Sequence, residues 1–168
     1  MRELKLCPKC GTPVECEWGD TDIIVPCLCK CGEQNRMFEE LTKRKTEAGI
    51  PPRFQGMCDI KNTRAQKYIQ TYQKGDWTIL LQYPEAETDA AAIANYFVEN
   101  DEDVIYQNAH FVTLKDWLLK RIQYLVLTNV DMDDESIQRI IEWRHSQSKT
   151  TIIAGNSKFH DAIFKEEE

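Results

Sequence analysis

Six of the seven cysteines in this 168-residue chain fall within its first 31 residues, and that crowding limits how the N-terminal part can fold. Cys7-Pro-Lys-Cys10 is a C-x2-C knuckle followed by Gly11, which permits the tight turn that aims two sulfurs at one ion. Cys27, Cys29 and Cys31 offer the second half-site. Four thiolates satisfy the tetrahedral preference of Zn²⁺ and leave no open position, so the expected role is structural. A module this short cannot rest on a hydrophobic core, and metal binding would supply its folding energy. Cys29 and Cys31 are favoured to close the site, with Cys27 as the alternate. Cys16, in mid-strand, and Cys58, outside the module, are read as spare. A secreted disulfide scaffold would spread its cysteines along the chain, which is not the pattern here.

The residues between the half-sites predict a β-hairpin. Val14 to Trp18 form one strand, Gly19-Asp20-Thr21-Asp22 a polar turn, and Ile23-Ile-Val-Pro26 the second strand. Over 33–48, Met37, Phe38 and Leu41 recur at helical spacing among charged residues, which predicts an amphipathic helix. Gly49-Ile50-Pro51-Pro52 stops it, because proline disfavours the α conformation in the residue before it. The expected organisation is a ribbon over 1–34, a linker helix and proline boundary over 35–55, and an α/β domain over 56–168.

In that last part helices are expected over 63–73, 88–99, 114–120 and 134–146, and strands over 77–82, 103–107, 123–128 and 150–154. Strands that alternate with helices and are apolar on both faces predict a parallel sheet covered on each side. Trp77, Trp117 and Trp143 are expected in the core. His110, His145 and His160 have no partner at metal spacing and are expected at the surface.

Charge narrows the partners. Up to Gly75 there are 13 Lys/Arg against 10 Asp/Glu; beyond it, 8 against 18. An acidic C-terminal part is unsuited to wrapping phosphate and better suited to a protein partner, so any DNA contact is expected in the N-terminal third. Candidate contacts there are Trp18, able to stack on a base or fill a pocket, and the basic residues Lys43, Arg44, Lys45 and Arg53. No apolar run reaches membrane-span length and no signal-peptide core is present, so the expected location is the cytoplasm, with no membrane contact.

Three features together resemble a known family: the cysteine motifs, Ala48-Gly-Ile-Pro-Pro-Arg-Phe54, and the strand–loop–helix ending in Ala90-Ala-Ala-Ile-Ala-Asn95. They look like helicase loaders of the DnaC type and the related ATPases that accompany transposases. The resemblance runs from Cys7 to Asn156. It implies an AAA+-like α/β domain of the P-loop NTPase class, single-stranded DNA, and a replicative helicase or its loader as partner.

The chain departs from that family where nucleotide chemistry would lie. A phosphate loop, G-x-x-x-x-G-K-[ST], cradles phosphates with glycine amides and a lysine. Here the stretch is Gln82-Tyr-Pro-Glu-Ala-Glu-Thr-Asp89, with no glycine or lysine and with carboxylates at Glu85, Glu87 and Asp89. Those acids repel a triphosphate and suit the helix dipole themselves. The strand that should end in two acids ends in Thr128-Asn129; Asp131, Asp133 and Asp134 follow late and are expected to cap the next helix. Asn156 stands where the family has a polar sensor. The expectation is a pseudo-ATPase that binds no ATP and acts through protein contacts in DNA replication, a pattern of loss that fits a phage or mobile element. Two other readings stay open: an unconventional NTPase using Asp131 or Asp133 for metal, and a zinc-ribbon single-strand binder on an inert scaffold.

Overall fold

The hairpin after the first knuckle forms as the polar turn predicts. In the computed structural model, which describes residues 4–19, 23–56, 69, 79–81, 86–112, 121–130 and 133–154, β1 (Glu15–Glu17) pairs antiparallel with β2 (Ile24–Pro26). Cys16 stands opposite Val25 in that register. Trp18 N–H donates to Ile23 O at 2.8 Å and Cys27 N–H to Val14 O at 2.9 Å, extending the ladder at both ends. Helix α1 (Lys30–Glu47) follows, three residues earlier than the apolar spacing predicts, so that Cys31 lies in its first turn.

The chain divides into two compact units, 1–43 and 44–168, and the division falls inside α1. It comes ahead of the Gly49–Pro52 stop because the last turn of α1 belongs to the second unit. There Lys45, 3% exposed, donates to Gln55 O at 2.9 Å and pairs with Glu99 at 2.6 Å. The Ala48–Phe54 segment is anchored in the same unit. Tyr106 N–H donates to Ala48 O at 2.7 Å, and Asn95 Nδ2 donates to Phe54 O at 2.8 Å. Gly49 has φ +82, and a Cβ on it would collide with the Tyr106 carbonyl, so only glycine fits this close approach.

The second unit is the expected α/β layer structure. Its strands are β3 (Ile79–Leu81), β4 (Val104–Asn108), β5 (Tyr124–Thr128) and β6 (Thr150–Ala154). They form one parallel sheet in the order β3-β6-β5-β4. Helix α2 (Ala86–Glu99) joins β3 to the far edge strand β4, and α3 (Glu135–Ser146) joins β5 to β6. The chain thus reverses direction across the sheet. Alternate residues of β5 face the two layers: Tyr124 stacks on Phe97 of α2 with ring centroids 4.0 Å apart, while Leu125 and Leu127 pack with Ile137, Ile140 and Ile141 of α3. Every residue of β5 and β6 is buried, as expected for strands covered on both sides.

Arg144 ties α3 to the starts of β5 and β6. It is fully buried and donates to Thr151 Oγ1 at 2.9 Å, Gln123 O at 3.0 Å, Thr150 O at 2.8 Å and Ile122 O at 3.3 Å. Burial lowers its pKa to about 10. Trp143, expected in the core, is 38% exposed instead. The inner face of α3 is taken by Ile137, Ile140, Ile141 and Arg144, and Trp143 falls outside that face. Of the expected helix over 63–73 only Ile69 is described, in helical conformation, while the helix over 114–120, together with Trp77, Trp117, Cys58 and His160, lies outside the described residues. His110 and His145 are exposed.

Candidate functional site

The knuckle is built by a tight loop. Leu6 bridges Pro13, Cys7 N–H donates to Thr12 O at 2.8 Å, and Gly11, at φ +69, donates to Cys7 O at 2.9 Å. This turn presents Cys7 and Cys10 on one side. Cys29 and Cys31 come to them from the start of α1, where the helix amides and dipole favour negative sulfur. The four Sγ atoms lie within 4.8 Å of one another. Cys29 and Cys31 are 3.3 Å apart and Cys7 and Cys31 3.6 Å. Four sulfurs about 2.3 Å from a tetrahedral ion stand roughly 3.8 Å from each other, so the cluster fits a metal ion of that size.

The electrostatics point the same way. The Thr12 hydroxyl, 3.0 Å from Cys10 Sγ, and the Thr12 amide pull the Cys10 thiol down to about 5. Backbone amides at Cys10 and Lys9 lower Cys7. Cys31 is pushed up to about 12, first by Cys10 and then by Cys29 and Cys7. Crowded sulfurs that cannot all ionise together are relieved by a cation placed between them. Thr12 was not legible as a site residue. Its hydroxyl also accepts from Lys30 N–H at 3.2 Å, so it links the knuckle to the start of α1.

Cys27, the alternate ligand, is not among the four. It forms a disulfide with Cys16, which is therefore not spare. The two are eleven residues apart in sequence but meet across the mouth of the hairpin. Trp18 is 66% exposed near the hairpin turn.

Helix α2 starts beyond the carboxyl end of β3, the end of a parallel sheet at which α/β folds bind ligands. Helix α2 begins there with Glu87 and Asp89 in its first turn. Asp89 is fully buried. Glu87 accepts from Arg53 Nη2 at 2.8 Å and lies 3.5 Å from the Tyr106 hydroxyl. Burial, with the Glu87 charge second, raises the Tyr106 pKa. Thr128 closes β5 and is buried; Asn129 follows in the left-handed region at φ 53. Asp134 caps α3, its side chain accepting from Ser136 N–H at 2.8 Å, as expected. Glu85, Asp131 and Asn156 lie outside the described residues.

The basic candidates are engaged within the second unit. Arg44 pairs with Asp101 and donates to Val98 O at 2.7 Å, Lys45 pairs with Glu99, and Arg53 pairs with Glu87. Lys43 is exposed. Residues 1–43 carry six Lys/Arg against eight Asp/Glu, so the cysteine-bearing unit is itself slightly acidic. The basic excess up to Gly75 comes from 44–75. Six of the eight exposed large hydrophobic residues among those described belong to the smaller first unit.

No protein-family model matches the chain, and no curated protein matches it. Among solved structures it is similar to a crystal structure from Streptococcus pyogenes serotype M3, provisionally described as a primosome component. The TM-score is 0.40 and the identity 16%, over 59% of this chain and 66% of that one. A likeness that loose carries no argument from one chain to the other. Among the described residues, no helix is long and apolar enough to cross a membrane.

Proposed function

We propose that the chain is a non-catalytic relative of helicase loaders, with a structural zinc in its cysteine-rich unit, that works in DNA replication by binding the replicative helicase or its loader. The observation that carries this reading is the start of α2. A P-loop protein needs glycine amides and a lysine there; this chain has Glu87 held by Arg53 and the buried carboxylate Asp89. The sequence resemblance supplies the replication context, and the anchoring of Ala48–Phe54 on β4 and α2 is consistent with that motif belonging to the α/β unit.

Cys7, Cys10, Cys29 and Cys31 would hold the zinc. It would supply no chemistry beyond crosslinking the unit, because four sulfurs leave no position for substrate. Thr12 positions Cys10 and the start of α1.

The first unit supplies the contact surface in this reading. Its slight acidity disfavours phosphate as the main partner, while Trp18, Met37 and Phe38 are 66%, 67% and 71% exposed. The test is capture of purified helicase and of purified loader by the zinc-loaded chain. Specific capture of either, weakened by Trp18→Ala or Phe38→Ser without change in melting temperature, supports the proposal. Failure to capture either, together with tight and salt-dependent binding of single-stranded DNA, supports the single-strand-binding reading in its place.

A further inference from the structure

The first unit has almost no core. Among its described apolar residues, Cys7 alone is buried. Its hairpin has three register pairs, and a two-stranded hairpin of that length is marginal alone. What fixes the unit is therefore crosslinking. Among the described residues there is one covalent crosslink, Cys16–Cys27, and one group of sulfurs poised for another.

These two are arranged in series. The first half-site, Cys7 and Cys10, precedes the hairpin, and the second, Cys29 and Cys31, follows it. Cys16 lies on β1, and Cys27 lies just past β2, two residues ahead of Cys29. The disulfide ties the hairpin shut at the end from which both half-sites leave. It cuts the chain that must be ordered when the half-sites meet, and so lowers the entropy lost on closing the metal site. Both cysteines are only half-buried, so a small reductant can reach them.

We propose that the Cys16–Cys27 disulfide is a redox-controlled clasp on the metal-binding unit: closed, it holds the half-sites at ligating separation, and opened by a dithiol, it weakens retention of the metal. The inference rests on the metal reading above. A dithiol opens the clasp by thiolate attack on one sulfur, giving a mixed disulfide that the second thiolate resolves. The S–S bond takes up two electrons and two protons and becomes two cysteine thiols; the dithiol loses its two S–H bonds and closes to a cyclic disulfide. A reducing compartment would hold the clasp open and an oxidising one would close it.

The test uses the full chain loaded with zinc in three forms: air-equilibrated wild type, wild type treated with dithiothreitol and desalted without air, and Cys16→Ser/Cys27→Ser. Peptide mapping by mass spectrometry reports the state of the bond, and competition with a chromophoric zinc chelator reports affinity. The expected result is at least tenfold tighter zinc in the closed form than in both open forms, which agree with each other. The reduced wild type keeps the native sequence, so the comparison survives if the double variant folds poorly. Equal affinity in closed and reduced wild type overturns the clasp while leaving the metal reading intact. Cys16 and Cys27 mapped as free thiols in the air-equilibrated, zinc-loaded chain also overturn it. Less than one zinc per chain in every form overturns the metal reading and the clasp together.

Discussion

Arg53 reaches across 34 residues of sequence to place its guanidinium 2.8 Å from Glu87, at the N-terminus of α2. A helix N-terminus attracts anions, and in a P-loop protein that anion is a phosphate. Here the helix supplies its own carboxylates.

The pair itself contributes little stability. Arg53 and Glu87 side chains are 66% and 40% exposed, so solvent screens their attraction. Glu87→Gln is expected to change the unfolding free energy by less than about 1 kcal/mol in urea titrations. It is also expected to create no nucleotide site, because β5 still closes at Thr128 and is followed by Asn129, and the stretch before α2 still lacks a lysine.

Arg144 behaves differently because it is buried. Its loss leaves three carbonyls and the Thr151 hydroxyl without their charged donor between α3 and the sheet. Arg144→Ala is expected to cost about 3 kcal/mol or more, read as a lower urea midpoint with an unchanged slope. Arg144→Lys is expected to recover little, since one ammonium cannot replace three fixed donor nitrogens.

Gly49→Ala tests the docking of the Ala48–Phe54 segment. Positive φ and the nearby Tyr106 carbonyl both oppose a Cβ. Destabilisation of about 2 kcal/mol or more is expected in chemical denaturation. A neutral outcome would mean that the segment does not lie against β4.

A zinc ion held by Cys7, Cys10, Cys29 and Cys31, as proposed, would set a pH dependence. Ligation needs four thiolates, and protons compete for them, most strongly at Cys31, which is pushed up to about 12 before metal binds. Zinc affinity is therefore expected to rise with pH through the neutral range and to fall on acidification, with proton release on binding. Chelation at neutral pH is expected to unfold residues 1–43 while 44–168 remains folded, as limited proteolysis would show. Cys10→Ser is expected to have the same effect as chelation.

The sequence made the cysteine site legible because its ligands are close along the chain, in a knuckle and at a helix start. It did not settle the place of Cys27, since Cys16 and Cys27 meet across a hairpin and spacing alone does not show that. Thr12 escaped notice because a hydroxyl two residues past a cysteine carries no distinctive signal. The parallel sheet was legible from the apolar strands, and β5 and β6 fall within a residue of their expected bounds. In sequence, the basic run of Lys43, Arg44 and Lys45 reads as a candidate phosphate contact, whereas Lys45 is buried beside Glu99. Helical spacing places Lys45 on the face of Leu41, but the pairing partner lies 54 residues away. Arg53 is similar: its sequence neighbours say nothing about Glu87.

The most direct test of the central claim is calorimetric titration of the zinc-loaded chain with ATP and ADP in the presence of Mg²⁺, alongside a thermal-shift measurement. No binding heat and no stabilisation are expected, because carboxylates stand at the start of α2 where a P-loop protein has glycine amides and a lysine. Micromolar binding with a matching rise in melting temperature would contradict that claim, and would point to an unconventional nucleotide site.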